Sequence, residues 1–425
     1  MRSERLNTWI PAALAAGAAA VYIAVNGLWN APPTGDGVGY EALGLSLAQG
    51  KGLVYMGYHS LRLPGYPLLI AGLYRLFGPE TVYIRLFQLL LQAASSALLY
   101  RAARVRFDER TSLAACLLYA VSYDAFIMPS QILTECMFSL LLIAGAYMAL
   151  LAAKEERGPG FYAAEGLVAG AAYMARQEVT ILFGCTLLLR WFFSGRRLPA
   201  KAVLLPGLAF LLVLGSWGAR NWKVHGRFFV GSTLSYRHLL AANMLVFTPL
   251  GADFSSIGLT NENIDRVDGE TDEFKREERR KEWTGEMFRL APAKLLVKAV
   301  LYKVSSFLYP FLPVYDLTYM LALPFLLLGL WLNLPRFREL YPLYAFLAML
   351  AFVVLLFHGI PRFRSPVTHM ASLFAASGFL WFTGKDGPRR GRAAAAVWTA
   401  ANLVVFFWAE PLRQLVKRLV FGGGA

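Results

Sequence analysis

Apolar blocks of roughly twenty residues recur along the whole chain, and they constrain its fold more than any other feature. A helix of about 20 residues crosses the roughly 30 Å of hydrocarbon in a bilayer, and it satisfies its own backbone hydrogen bonds without water. We therefore predict an all-α, polytopic membrane protein with about eleven transmembrane helices. The predicted spans lie near residues 8–30, 81–100, 111–128, 133–153, 161–175, 178–194, 202–219, 316–332, 341–358, 366–383 and 393–409.

The amino-acid composition supports a membrane protein and indicates which loops face the cytoplasm. The chain is 57% hydrophobic and only 16% charged, whereas soluble domains are about 25% charged. The net charge of +15 could indicate a nucleic-acid partner, but the Lys and Arg residues lie in short loops between apolar blocks. Such loops face the cytoplasm, so we expect membrane lipids, and no nucleic acid, as partners. The first block, Ile10 to Trp29, lacks a small-residue cleavage site and is predicted to be a retained span rather than a signal peptide.

Alternation of basic and less basic loops predicts the topology. The loops predicted to be cytoplasmic are 101–110, 154–157, 190–201, 336–338 and 384–392. The long segments 31–80 and 220–315 then lie outside, which we expect to be the periplasmic side of a bacterial inner membrane.

The second long segment contains two kinds of sequence. Residues 253–286 mix acidic and basic side chains closely, which predicts a helix in a solvated loop. The next stretch repeats lysines at helical spacing against an apolar face, so we expect an interfacial helix lying in the membrane surface. These lysines are Lys294, Lys298 and Lys303. A true span there is the alternative, and it would reverse the orientation of everything after it.

Metal and disulfide chemistry has weak support in the sequence. The three cysteines lie in or beside apolar blocks and are predicted to be packing residues. His59 and His225 are far apart in sequence and make no metal-ligand signature. The sequence therefore indicates no particular cofactor, and a divalent metal is the open alternative.

A set of polar residues lies near the predicted outer ends of the spans and in the first outer loop. It comprises Asp36, Arg62, Glu135, Arg176, Arg220, Asn221, Arg362 and Arg364. Arginines pair with phosphate through charge-assisted hydrogen bonds and keep their proton, and a carboxylate can accept a proton from an acceptor hydroxyl or amine. Together they suit transfer of a sugar from a lipid phosphate, because the departing phosphate needs fixed positive partners.

Each of these residues also has a structural interpretation. Asp36 lies between glycines in "PTGDGVGY" and could be a solvated turn residue. Glu135 could serve only the N-terminus of its helix. The arginines could be anchors that reach from span ends to the interface. Arg362 and Arg364 are two positions apart, so at most one of them is expected to face a site.

Six segments follow one another along the chain: "ALGLSLAQGKG", "RLPGYPLLIAGLYRLFG", "QILTECMFSLLL", "GLVAGAAYMARQE", "GSWGARNWKVHGRFFVGST" and "PRFRSPVTHMASLFAA". In this order they resemble segments of the GT-C superfamily of glycosyltransferases, the type that includes protein O-mannosyltransferases and the lipid A aminoarabinose transferase. The resemblance covers nearly the whole chain. It implies a single GT-C transmembrane domain over residues 1–425, with the catalytic carboxylate in the loop 31–80.

The resemblance also implies roles for particular residues. Asp36 matches the catalytic carboxylate, with Glu135 as the next candidate, and Arg62 matches the basic residue that holds the lipid phosphate. Further phosphate-binding and substrate-binding candidates are Arg220, Arg362, Arg364, Tyr40, His59, Tyr66, Arg176 and Asn221. Many relatives have two adjacent acidic residues in the first loop, but here Gly37 follows Asp36, which weakens the case for a metal.

The expected activity is inverting transfer of a sugar from polyprenyl phosphate to a lipid, glycan or protein acceptor. Two alternatives are a polytopic polymerase or ligase of surface glycans and a lipid-linked sugar transporter. A transporter would need polar residues through the bilayer midplane, whereas here they cluster at one face. A membrane scaffold would not need the arginines at all.

Overall fold

The computed structural model describes residues 2–194, 200–311, 314–357, 359, 361–384 and 389–421. Within these ranges the regular structure is helical, without a named strand, so the prediction of an all-α fold is confirmed. Parts of the predicted loops 190–201 and 384–392, and residue 358 of a predicted span, lie outside the described residues.

The first half of the chain contains ten α-helices up to the end of the seventh predicted span. They are α1 (Arg2–Val25), α2 (Asp36–Ala48), α3 (Gly65–Phe77), α4 (Thr81–Ala103), α5 (Glu109–Ala120), α6 (Tyr123–Ile127), α7 (Glu135–Lys154), α8 (Pro159–Ala175), α9 (Val179–Ser194) and α10 (Lys201–His225).

The second half begins with four helices of the long polar segment and returns to apolar helices. They are α11 (Ser235–Phe247), α12 (Asn261–Asp268), α13 (Glu273–Leu290), α14 (Ala293–Leu308), α15 (Leu317–Asn333), α16 (Phe337–Leu356), α17 (Thr368–Thr383), α18 (Arg389–Phe407) and α19 (Ala409–Phe421). A 3-10 helix, Pro361–Val367, precedes α17.

Each predicted span coincides with a helix or a bent helix pair, and the chain is a multi-pass membrane protein. Within the described residues five helical stretches are long and apolar enough to cross a membrane, or up to seven if each bent pair is one span. One of the five, Leu317–Leu356, is 40 residues long and covers two predicted spans. The short helices α8, α9 and α17 have 17, 16 and 16 residues.

Close packing explains the Gly-rich composition of α8, the shortest predicted span. This helix packs against α10, and a Cβ atom added to Gly166 would lie 2.1 Å from the backbone oxygen of Pro206. Only glycine permits that approach, as in other membrane helix pairs with small residues at the contact.

A buried ion pair links α8 to α9. Arg190 donates from Nη1 to Glu165 Oε2 at 2.7 Å and from Nη2 to Oε1 at 2.5 Å, and both side chains are almost fully buried. The sequence predicts that Arg190 belongs to the basic cytoplasmic loop 190–201. The structure places it inside α9 instead, because a bidentate carboxylate satisfies its charge there.

Helices α11 to α14 form a polar unit with a small core of its own around Trp283, Met287 and Phe247. The predicted helix over 253–286 is present as α12 and α13, but the expectation of a solvated segment is wrong for one face of α13. Arg276 and Arg280 on that face are buried, because the helix packs against α11 and α12.

Helix α14 has the predicted amphipathic form, with an exception at Lys303. Lys294 and Lys298 are exposed, whereas Lys303 is buried and donates to Asn243 Oδ1 and to the backbone oxygen of Leu355, both at 2.7 Å. The last carbonyls of a helix lack partners within that helix, so the hydrogen bond to the end of α16 explains why this lysine is buried. At 16 residues α14 is not among the helices long enough to span, and its membrane-surface position stays a prediction.

Candidate functional site

The segment "PTGDGVGY" starts a helix rather than forming a turn alone. Gly35 has a φ of +54° and precedes Asp36, the first residue of α2. That backbone conformation favours glycine, and the N-terminus of a helix favours a carboxylate. Gly39 lies one turn further on, where an added Cβ atom would be 3.3 Å from Arg62 Nε. The two glycines thus turn the chain into α2 and let Arg62 cross over its first turn.

Asp36 lies between two guanidinium groups from distant parts of the chain. Its Oδ1 atom accepts a hydrogen bond from Arg62 Nη2 at 2.9 Å, and its Oδ2 atom accepts one from Arg362 Nη1 at 3.0 Å. The Asp36 side chain is 40% exposed. It is therefore both oriented by fixed cations and open to a second molecule.

The ion-pair chain continues from Arg362 to the start of α7. Arg362 Nε donates to Glu135 Oε1 at 2.5 Å, and Arg176 Nη1 donates to the same oxygen at 3.4 Å. Arg176 also pairs with Glu178 through Nε at 2.5 Å. Three guanidiniums and three carboxylates thus alternate in one continuous network, which we call the Asp36 network.

Aromatic rings form one side of this network. The Arg62 guanidinium lies 4.3 Å from the centroid of the Tyr40 ring, a cation–π contact that fixes its orientation. Tyr66 packs edge-on against Tyr40 at 5.4 Å, and its hydroxyl donates to Gln88 Oε1 at 2.7 Å. Tyr66 is fully buried and therefore supports Tyr40 from behind.

Electrostatics of the network keep Asp36 ionised. Burial raises the pKa of this carboxyl, but the charges and hydrogen bonds of Arg62 and Arg362 outweigh it and lower the pKa to about 2. Burial lowers the pKa of Arg62 and of Arg362. Tyr40 and Asp36 nevertheless raise the pKa of Arg62 above its ordinary value, and Glu135 and Asp36 raise that of Arg362. In this state Asp36 is a weak base, and any loss of its cation partners would strengthen it.

A cavity of about 440 Å³ opens beside Asp36 and Arg62. It lies between the first long segment and the polar unit of α11 to α14. Its wall includes Gly35, Asp36, Val38, Gly39, Leu43, Tyr55, Met56, Tyr58, Leu61, Arg62, Leu234, Arg237, Asp268, Arg276 and Arg280.

Two of the predicted site residues, Arg220 and Asn221, belong to a separate group centred on Ser60. Arg220 Nη1 donates to Ser60 Oγ at 2.7 Å and to Asn221 Oδ1 at 2.9 Å. Glu273 accepts hydrogen bonds from the backbone N–H groups of His59 and Ser60, both at 3.3 Å. This group fastens α10 and α13 to the first long segment. It does not border the cavity.

Arg364 is directed away from Asp36. Its Nη1 atom donates to the backbone oxygen of Phe307 at 3.2 Å, its Nη2 atom lies 3.8 Å from Asp316 Oδ2, and its guanidinium lies 3.6 Å from the Tyr319 ring centroid. The expectation that at most one of the two arginines faces a site therefore agrees with the geometry, and Arg362 is that one. Arg364 neither contacts Asp36 nor lines the cavity, so its position does not support a phosphate-binding role at this site.

The structure also reveals residues that the sequence did not single out. Glu178 belongs to the Asp36 network, Glu273 belongs to the Ser60 group, and Arg276 lines the cavity. The last two lie in a charged stretch that resembles a solvated surface. A helical plot of "DEFKREERRKEW" could have found the last two, because Glu273, Arg276 and Arg280 share a face with the buried Trp283.

The side chains of this site are poorly suited to bind a metal ion. The carboxylates of Asp36, Glu135 and Glu178 are each paired with a guanidinium. Among the described residues no group of three or more His, Cys, Asp or Glu side chains could hold a metal ion. The donor set therefore does not fit a bound cation.

Comparison with known proteins agrees with the resemblance noted in the sequence. Residues 60–217 match the family model described as dolichyl-phosphate-mannose-protein mannosyltransferase. Arg62, Glu135 and Arg176 lie inside the matched range, and Asp36 and Arg362 lie outside it. No curated protein sequence matches the chain.

Two solved structures resemble this chain to different degrees. The oligosaccharyltransferase of Archaeoglobus fulgidus, crystallised with a tethered acceptor peptide, superposes with a TM-score of 0.50 at 13% identity over 87% of this chain. This chain spans 50% of that protein's length. ArnT from Cupriavidus metallidurans bound to undecaprenyl phosphate matches at 13% identity over 85% of this chain and 77% of its own, with a TM-score of 0.39. The family match and the first superposition confirm the predicted GT-C resemblance and fold class.

Proposed function

We propose that this protein is a membrane glycosyltransferase of the GT-C type that transfers a sugar from polyprenyl phosphate to an acceptor on the periplasmic side. The observation that carries the proposal is Asp36 held between Arg62 and Arg362 beside an open cavity. The matched family model is named for a transferase with a dolichyl-phosphate-linked mannose, which supports the same donor class.

In the proposed reaction, Asp36 accepts the proton of the acceptor hydroxyl or amine. The acceptor oxygen or nitrogen attacks the anomeric carbon, and the bond from that carbon to the phosphate oxygen breaks with inversion. Arg62 and Arg362 take up the negative charge that develops on the departing lipid phosphate. Glu135 acts as a positioning residue, because it accepts a hydrogen bond from Arg362 on the side away from Asp36. Arg176 in turn donates to the same oxygen of Glu135 and positions it.

Donor binding would activate the base in this scheme. A lipid phosphate that draws the two guanidiniums towards itself weakens their hold on Asp36, and the pKa of that carboxyl then rises towards its ordinary value of 3.8. A base with a higher pKa accepts a proton more readily. The free protein thus keeps Asp36 inactive until a donor is present.

The test is release of radiolabelled sugar from a panel of polyprenyl-phosphate sugars by the purified protein, with donor binding measured in parallel. Asp36→Asn keeps the side chain's shape but removes the base, so transfer should fall about a hundred- to ten-thousandfold while donor binding persists. Asp253→Asn, an exposed aspartate of the polar unit, is the matched control and should transfer normally. Near-normal transfer by Asp36→Asn would remove Asp36 as the base, and failure to use any lipid-phosphate sugar would favour the polymerase or transporter alternative.

A further inference from the structure

Arg276 is a buried cation that lacks a polar partner among the described residues. Its side chain is only 4% exposed, and neither Nε nor Nη2 has a hydrogen-bond partner. The guanidinium lies 3.9 Å from the centroid of the Tyr58 ring. A charge buried in this way is strongly unfavourable unless something else pairs with it.

This arginine lines the cavity that begins at Asp36. Arg280 and Arg237 line the same end. Arg280 is buried and pairs with Asp268 and with Glu277 Oε1, and the half-exposed Arg237 lies 3.6 Å from Asp268. With Arg62, four guanidiniums face the cavity against two carboxylates, Asp36 and Asp268. Arg62, Arg237 and Arg280 each pair with a carboxylate, whereas Arg276 has no carboxylate partner among the described residues.

A strained turn fixes the aromatic wall of this end. Tyr55 and Tyr58 exchange two backbone hydrogen bonds of 3.0 Å, and the residues between them, Met56 and Gly57, have φ angles of +52° and +81°. Positive φ at both central positions defines a tight two-residue turn, and it is unusual for methionine. Strain of this kind persists where a site requires it. Here it holds both tyrosines on the cavity wall.

We infer that this end of the cavity is an oxyanion subsite in which Arg276, with Arg280 and Arg237, binds a phosphate or carboxylate group of the acceptor. The inference rests on the proposed function, since it assigns the acceptor to this cavity. Planar guanidiniums form paired hydrogen bonds with both kinds of oxyanion. The cavity volume of about 440 Å³ lies within the roughly 300–1,000 Å³ of small-molecule sites, with room for a sugar-sized unit between the oxyanion and Asp36.

The position of Arg276 favours the acceptor over the donor. Arg276 and Arg280 belong to α13, a strongly charged helix that packs on α11 and α12. A phosphate attached to a polyprenyl chain stays near the span ends, where Arg362 precedes α17. An acceptor group that arrives from water meets α13 first.

The test measures two ligands separately with the purified full chain in lipid nanodiscs. Undecaprenyl phosphate binding is measured first, and inorganic phosphate is then titrated at constant ionic strength with the lipid already bound, with the unfolding temperature as the readout. Glucuronate replaces phosphate in a second titration to test the carboxylate. Arg276→Gln should weaken oxyanion binding about ten- to a hundredfold and leave lipid binding unchanged. Arg62→Gln should weaken lipid binding.

Arg279→Gln is the matched control, since Arg279 lies on the same helix, pairs with Glu282 at 2.8 Å and is absent from the cavity wall. It should bind both oxyanions normally. Without ligand, Arg276→Gln should unfold at the same or a higher temperature than the unsubstituted protein, because it removes an uncompensated charge. Arg237→Gln, at a half-exposed position, provides a second variant with little risk to folding and should weaken binding by a smaller factor.

Normal oxyanion binding by Arg276→Gln, or no oxyanion binding by the unsubstituted protein, would overturn the inference. Loss of undecaprenyl phosphate binding in Arg276→Gln would place the donor phosphate here and overturn it too, while the proposed function would stand. If the unsubstituted protein does not bind undecaprenyl phosphate, that measurement alone contradicts the proposed function. The phosphate titration is then carried out without the lipid, and it still tests the oxyanion subsite.

Discussion

Arg362 donates a 3.0 Å hydrogen bond to Asp36 although 326 positions separate the two residues in the chain. The contact joins the 3-10 helix before α17 to the first turn of α2. Because Arg362 also holds Glu135 at the start of α7, three segments must be in place before Asp36 is oriented. The site is therefore a property of the complete bundle rather than of the first long segment alone.

Removal of Arg62 should weaken donor binding more than it affects folding. A charge-assisted contact to phosphate contributes about 1.5–3 kcal/mol, so Arg62→Ala should raise the dissociation constant for polyprenyl phosphate by about one to two decades. Arg62→Lys should restore only part of this, since lysine cannot pair bidentately. Arg75→Ala, at an exposed position of the same segment, is the control. Unchanged binding in both Arg62 variants would exclude Arg62 from the phosphate site.

The pH dependence should differ between the free and the donor-bound protein. In the free protein the pKa of Asp36 is lowered to about 2, so kcat/KM should show no loss from protonation of Asp36 until the pH approaches that value. If donor binding withdraws the guanidiniums, the acidic limb of kcat should lie at a higher pH than that of kcat/KM. Steady-state kinetics across the acidic range would test this. Coincident limbs would mean that Arg62 and Arg362 stay on Asp36 during the reaction.

The lowered pKa of Asp36 also predicts how the stability of the folded protein depends on pH. A pKa below the ordinary value of 3.8 means that the folded state favours ionised Asp36, so this contribution is present above about pH 3.8 and is lost as the pH falls towards 2. Near neutral pH, Asp36→Asn should therefore lower the unfolding temperature slightly without ligand. A rise instead would show that the network is strained rather than stabilising.

The Arg190–Glu165 pair should behave as a unit. Glu165→Gln leaves a buried guanidinium uncompensated and should destabilise the protein by about 3–5 kcal/mol. The double variant Glu165→Met with Arg190→Met removes both charges and should recover most of that loss, because apolar replacement of a buried pair is often nearly neutral. The measurement is the free energy of unfolding of the single and double variants in the same detergent micelle. A double variant that is no more stable than Glu165→Gln would contradict this expectation.

The orientation in the membrane can be tested with single cysteines. The Lys and Arg bias predicts that residue 105 faces the cytoplasm and that residue 51 faces outward. An impermeant thiol reagent added to intact cells should modify Lys51→Cys and leave Val105→Cys unmodified, with modification of both after lysis. The native cysteines are free, and Cys116 and Cys136 are buried. Modification at residue 105 in intact cells would reverse the assigned orientation.

The sequence was sufficient to predict the helices, because apolar length is a local property. It also placed Asp36, Arg62, Glu135, Arg176 and Arg362 in one set, and the structure brings these five together. Their roles in catalysis stay predictions.

The sequence was less informative where a residue's environment is decided by distant packing. Arg364 has the same local context as Arg362 but turns to Asp316. Arg220 donates a hydrogen bond to Ser60. The charged helix α13 buries one face, which its overall composition does not predict. Tertiary contacts of this kind leave no periodic signal in the segments that make them.

Arg62 and Arg362 already have an anionic partner before any ligand arrives, and this bears on turnover. A polyprenyl phosphate left behind after transfer must compete with Asp36 for the same two guanidiniums. Once the acceptor has been glycosylated and Asp36 has returned its proton to solvent, the carboxylate reclaims both cations and helps to displace the spent lipid. An enzyme with two unopposed arginines at this position would hold its product tightly and turn over slowly. If the proposed reaction is correct, we expect Asp36 to limit product inhibition as well as to serve as the base.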